Sequence, residues 1–240
     1  MQKEKARTIG QIVADNYQAA EVFNAFDMDF CCGGDRTVDE ACQEVNINPN
    51  EVWQALKELE TDGARQENYT EWSLDFLIDY IINNHHKFSR EKLPEIGQYA
   101  KKVASVHGDR YPELQKIYYE FTKLHGDIIN HLQKEEELLF PYVKRLVEAE
   151  KKGKQPKTPD FGKAANPISM MEHEHDQSGA AMEKIRELSD DFTPPDDACT
   201  TYRLLFENLE AFEKDLHKHV HLENNILFPK AIELEQSLNR

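Results

Sequence analysis

Cysteine, tryptophan and basic side chains are scarce in this chain. It has four cysteines and two tryptophans in 240 residues, and 29 Lys and Arg against 45 Asp and Glu. The cysteines stand at 31, 32, 42 and 199, which is neither the scatter of a disulfide-stapled secreted domain nor a C-x-x-C zinc pair. They read as thiols in a reducing compartment. A formal charge of −16 argues against nucleic acid and anionic membrane surfaces as partners. No apolar run approaches the roughly 20 residues of a membrane span, and the opening MQKEKARTIG lacks the apolar stretch of a secretory signal. The expected address is the cytoplasm.

What the chain does have is helix punctuation. Thr8 with Gln11, Thr37 with Glu40, and Asn48-Pro49 with Glu51 are three helix-start signatures, each a capping side chain followed three residues later by Glu or Gln. Residues 1–62 thus read as a small three-helix domain, with FCCGGD forming a turn ahead of the second helix, and 63–72 as a linker. From residue 73 to 240 apolar residues recur at helical spacing in four long runs. HGDRYP, a Lys/Gly/Pro-rich connection over 151–167, and TPPDD separate the runs. The fold class expected is all-α: an antiparallel four-helix bundle preceded by a small helical N-terminal domain.

One phrase occurs twice, HLQKEEELLFP at 131–141 and HVHLENNILFP at 219–229. Residues four apart share a helix face, so His131 with Glu135 and His219 with Glu223 each present a nitrogen beside a carboxylate, on the apolar stripe of their helix. Antiparallel neighbours meet where their distances from the hairpin match, at about 1.5 Å per residue. Counted this way, His86, His131, His175 and His219 reach one layer with both glutamates, while His107 lies about 30 Å along its helix from His86. A single inward His is usually a hydrogen-bonded core residue, and a His/Glu i,i+4 pair is usually a surface pair. Four His and two Glu in one interior layer point instead to a metal site, because two buried carboxylates without a cation are costly. Six ligands exceed what one tetrahedral zinc needs and suit a pair of non-heme irons. In the first long helix periodicity alone prefers His85 to His86. His173, His217 and His221 flank the layer as supporting or surface groups.

In order along the chain, DFCCGGDRTVDEAC, IINNHHKFSREKLPEI, VASVHGDRYPEL, HLQKEEELLFP, MEHEHDQSG and HLENNILFP resemble segments of the iron-sulfur cluster repair di-iron proteins, a hemerythrin-like family with an N-terminal domain of the ScdA type. The resemblance covers nearly the whole chain and selects His86 over His85. It implies two iron ions in an oxo- and carboxylate-bridged centre, held by His86, His131, Glu135, His175, His219 and Glu223, with both glutamates bridging. It further implies a cytoplasmic homodimer that repairs iron-sulfur proteins damaged by nitric oxide, peroxide or oxygen. Iron supply is expected more than enzymatic turnover.

Adjacent Cys31 and Cys32 are awkward disulfide partners, since neighbouring Cα atoms are about 3.8 Å apart and bridges ordinarily need about 4.4 Å or more. They suit redox or iron transfer, a thiolate pair being a soft ligand for iron in transit; the alternative is that they pack as small apolar groups. Cys42 reads as core, and Cys199 as part of the last helix start. Among competing functions, a ferritin-like oxidase would carry Glu-x-x-His on two helices, and only Glu172 with His175 fits. A DNA-binding regulator is disfavoured by 13 acidic against 5 basic side chains in residues 1–62. A hemerythrin-style oxygen or nitric oxide binder, or a nitric oxide reductase, would share every ligand.

Overall fold

The computed structural model describes residues 6–61 and 68–239. These contain helices, turns and one isolated backbone bridge, with no strand. The N-terminal part holds four helices, where the capping signatures predict three: α1 (Ile9–Asp15), α2 (Ala19–Ala25), α3 (Val38–Glu44) and α4 (Pro49–Thr61). Thr8 and Thr37 form reciprocal capping boxes with Gln11 and Glu40. Helix α2 escapes the pattern because its N-cap, Gln18, makes no side-chain capping bond; its apolar face holds it in place, with Phe23 fully buried. Thr8 and Thr37 are bridged across the two N-caps, and Ile9, Val13, Val38, Cys42 and Val52 complete a small core with no exposed surface.

Residues 62–67, which include the first half of the segment read as a linker, lie outside the described residues. Tyr69–Glu71 form a 3-10 turn, and Tyr69 is fully buried against Trp72, ring centroids 4.8 Å apart.

Four long rods follow. The first runs through α5 (Leu74–Ile81), a π-turn (Ile82–His86) and α6 (Lys87–His107). The second comprises α7 (Glu113–Lys134), a π-turn (Glu135–Leu139) and α8 (Phe140–Lys151). The third is the uninterrupted α9 (Ala165–Leu188), and the fourth comprises α10 (Thr200–Leu222), a π-turn (Glu223–Leu227) and α11 (Phe228–Leu238). In the antiparallel bundle α7 packs between α6 and α9, and α10 lies against α6. Among the described residues no helix is long and apolar enough to cross a membrane.

Two of the three π-turns, Glu135–Leu139 and Glu223–Leu227, have a physical cause visible in the repeated phrase. Pro141 and Pro229 sit in the first turn after a π-turn. A proline lacks the N–H of the α-helical bond, and its ring clashes with the carbonyl four residues back. A turn closed by i→i+5 bonds relieves both conflicts, and such turns recur at functional sites. Each π-turn also adds a residue to its rod, shifting everything beyond it by about 100° on the helical wheel. That explains the ambiguity in the first rod: His85 and His86 are both buried, at 3% and 0% exposure, because they share the widened turn.

Along every rod an apolar cluster lies on each side of the His/Glu layer. Leu93, Ile128, Met182 and Leu216 belong to one, Ile81, Leu139, Met171 and Leu227 to the other.

Candidate metal centre

Between these clusters the structure brings six polar side chains together. Two groups of four have ligand atoms within 4.8 Å of one another: His86, Glu135, His219 and Glu223, and His131, Glu135, His175 and Glu223. All are buried, and both glutamates belong to both groups. Glu135 Oε2 lies 3.3 Å from His86 Nε2 and 3.4 Å from His131 Nε2. Glu223 places Oε1 at 3.1 Å from His219 Nε2 and Oε2 at 3.2 Å from His175 Nε2.

The arrangement repeats itself about a local two-fold. His86 corresponds to His175, His131 to His219, and Glu135 to Glu223. Phe140 and Phe228, from the two repeated phrases, stack on His86 and His175 at 5.5 and 6.0 Å. The two copies of the phrase, 88 residues apart from His131 to His219, therefore build two facing halves of one layer.

Three of the four imidazoles are held from behind. His86 Nδ1 donates to Glu136 Oε1 at 2.6 Å, a carboxylate that also accepts from Arg90. His131 Nδ1 donates to Glu174 Oε2 at 2.9 Å, and Lys134 pairs with the same carboxylate. His175 Nδ1 donates to Asn224 Oδ1 at 2.8 Å. With the proton on Nδ1, each ring turns the lone pair of Nε2 toward the shared glutamates, the usual way a protein fixes a metal-binding tautomer. His219 differs: its Nδ1 has no hydrogen-bond partner among the described residues, and its ring stacks on His85 at 5.6 Å. His85 itself is tied to Asp215, Nδ1 to Oδ1, at 2.9 Å.

Sequence reasoning missed Glu136, Glu174, Asn224 and Asp215. A signal was available for two of them: Glu136 and Asn224 both stand five residues after the histidine that opens each repeated phrase, and each orients a histidine of a neighbouring rod.

A cation fits this donor set. Both oxygens of Glu135, Glu223 Oε2 and His86 Nε2 are buried without hydrogen-bond geometry to any described group, a state that is costly unless a cation or proton is shared among them. Without metal, protons take that part. Burial works to lower the His86 pKa, but the nearby carboxylates of Glu135 and Glu223 outweigh it and raise it to about 10. In His175 burial likewise works downward and is overcome chiefly by Glu223, giving about 9. Burial pushes Glu223 upward, yet the surrounding histidines hold its carboxyl well below the usual range. Imidazole and carboxylate donors of this kind suit iron, zinc or manganese.

The thiols lie beside this layer. Asp29 Oδ1 accepts from the backbone N–H of Cys31 and Cys32 at 3.0 and 2.9 Å. The two sulfurs are unbonded, 4.0 Å apart. The Cys32 thiol, then burial, push the Cys31 pKa upward. His217 lines the cleft over these thiols. His221 is fully buried against Phe30, and burial pushes its pKa down to about 3. His173 is exposed and meets Gln177. His107 stands at the far end of α6, where its Nε2 lies 3.3 Å from Cys199 Sγ.

Comparison with known proteins agrees with this architecture. A family model described as the hemerythrin HHE cation binding domain matches residues 77–231, and the ScdA_N model, described as a domain of unknown function (DUF542), matches residues 5–60. The chain is 35% identical to the iron-sulfur cluster repair protein YtfE of Musicola paradisiaca, over 95% of this chain and 97% of that one. It is 36% identical to a probable iron-sulfur cluster repair protein of Haemophilus influenzae, over 89% and 91%. With YtfE of Dickeya chrysanthemi it shares 35% identity over 94% and 96%.

Proposed function

The chain belongs to the family of iron-sulfur cluster repair proteins that join an ScdA-type N-terminal segment to a hemerythrin HHE bundle, and from that membership we propose that it restores iron-sulfur clusters damaged by oxidative or nitrosative stress with iron held in the His/Glu layer. The observation that carries this reading is the sharing of Glu135 and Glu223 by two four-residue groups, an arrangement made for a pair of ions. His86 and His219 would hold one iron and His131 and His175 the other, with both glutamates common to the two. Iron bound there supplies a redox-active Lewis acid that can meet nitric oxide, peroxide or oxygen and can be handed on.

The protein's own groups keep that iron oriented and dry, yet removable. Glu136, Glu174 and Asn224 hold three imidazoles in position through Nδ1. Phe140 and Phe228 close the layer on one side. His86 and His175, with their raised pKa values, take up protons when iron leaves, so the two carboxylates are never left without positive charge. Residues 73–240 are the iron-holding bundle, and residues 1–62 carry Cys31 and Cys32 as the thiols through which iron leaves; 63–72 join them. The protein works in the cytoplasm as a homodimer, and its clients are proteins whose clusters have lost iron.

The test is iron analysis on protein purified without oxygen, together with reactivation of a cluster enzyme damaged by nitric oxide. About two irons per chain are expected, with reactivation lost in Glu135→Leu and Glu223→Leu. Reactivation that persists in variants without iron would overturn the reading.

A further inference from the structure

The loop carrying Cys31 and Cys32 is tied to the metal layer by one side chain. Asn224 Oδ1 accepts from His175 Nδ1 at 2.8 Å, while its Nδ2 donates to the Cys31 carbonyl at 3.2 Å. Asn225 Nδ2 donates to the same carbonyl at 3.1 Å. In the matching place of the second rod stands Glu136. A carboxylate there can only accept, whereas an amide accepts from the histidine and donates to the loop at once, which gives this departure from the repeat a physical reason. Cys32 lies over Gly179, where an added Cβ would sit 3.9 Å from Sγ. Gly179 follows His175 by one helical turn on the same face of α9.

At the loop itself Asp29, Cys31 and Cys32 each offer a ligand atom, all within 4.8 Å of one another. The Cys31 thiol donates to Asp29 Oδ1 at 3.2 Å. Two sulfurs 4.0 Å apart can each reach about 2.3 Å to one ion between them, with an angle at the metal of about 120°. A cleft of about 340 Å³ opens over these residues, lined also by Asp27, Asp176, Glu183 and the ion pair Arg186–Glu213, an excess of negative charge that draws cations.

We propose that Cys31, Cys32 and Asp29 form a third cation site, a transit site for one divalent ion on its way from the His/Glu layer to a client. This rests on the repair reading for the identity of the cargo, ferrous iron. On binding, two S–H bonds break and two sulfur–metal bonds form. The two protons pass to solvent, Asp29 exchanges its thiol hydrogen bond for the ion, and the metal keeps its oxidation state. Release is the reverse exchange, the client's ligands replacing the thiolates.

The experiment titrates iron-loaded full-length protein with cobalt(II) without oxygen, following thiolate-to-cobalt charge-transfer absorption and total metal. One additional ion per chain with that absorption is expected. The absorption should vanish in Cys31→Ser and in Cys32→Ser, persist in Cys199→Ser, and require more cobalt in Asp29→Asn, which keeps an oxygen for the loop N–H groups. Absence of the absorption in the unaltered protein, or its survival in the Cys31→Ser/Cys32→Ser double variant, overturns the proposal. Iron content is read separately. A thiolate signal on protein that holds no iron in the His/Glu layer refutes the repair reading and leaves the thiol site standing; iron without the signal does the opposite.

Discussion

His131 and His175 face each other nitrogen to nitrogen, Nε2 to Nε2, at 2.9 Å inside the bundle. Each Nδ1 already donates, to Glu174 and to Asn224. The short contact therefore needs either a proton between the two lone pairs or a cation beside both.

The metal-free protein should lose stability as pH rises. The His86 and His175 pKa values are raised in the folded state, to about 10 and about 9. Their contribution is thus fully present below the ordinary imidazole value of about 6.5 and lost as pH climbs through 9 to 10. The loss should be on the order of a few kcal/mol at 1.36 kcal/mol per unit. Metal-loaded protein should show little of this slope, because the cation replaces the protons, and loading should release protons into weak buffer. Chemical denaturation of both forms across pH 6 to 10 checks the sign.

Both ions should depart together when a shared carboxylate is removed. Glu135→Leu or Glu223→Leu takes a ligand from each group of four, whereas His86→Leu or His131→Leu takes one from a single group. Metal content per chain, measured beside helix content by circular dichroism, separates the two patterns.

Glu136→Gln and Glu174→Gln leave the six inner side chains unchanged and weaken the acceptors behind His86 and His131. Metal affinity should fall about 10- to 100-fold in each. Competition against a chelator of known affinity measures it.

Tyr142→Phe should destabilise the fold without touching the metal layer. The Tyr142 hydroxyl donates to Glu235 Oε1 at 2.6 Å, and the same oxygen accepts from Ala164 N at 2.9 Å, at the entrance to α9. Losing one donor to a buried carboxylate costs about 1–3 kcal/mol, read as a lower urea midpoint with metal content unchanged.

The fold and the layer were legible in the chain for physical reasons that also mark where legibility ended. Thr8 and Thr37 announced their helices because a capping side chain is a local signal; α2, which starts at Ala19 without one, was silent. Counting residues from the hairpins placed His86 and His131 at one level because rise per residue changes little between α- and π-turns. Angle around the helix does change. The wheel drawn over Leu74, Leu77, Ile78 and Ile81 therefore pointed to His85, and nothing in a single sequence signals the added residue. The repeat marked the position of Asn224 but not its role, which lies in joining two groups, His175 Nδ1 and the Cys31 carbonyl, that are far apart along the chain.

The three π-turns make the protein more vulnerable to miscounting than to misspelling. Ile82–His86, Glu135–Leu139 and Glu223–Leu227 each keep the two ends of a rod in phase with the core by one surplus residue. Many exchanges of one side chain for another there would be local injuries. Deleting any one residue from such a turn would let it relax to an α-turn and swing everything beyond it by about 100°, carrying an apolar stripe into water and a ligand off its neighbour in the same event. Natural variation in these stretches should accordingly be nearly empty of gaps, with its substitutions falling away from His86, Glu135, Glu136, Glu223 and Asn224.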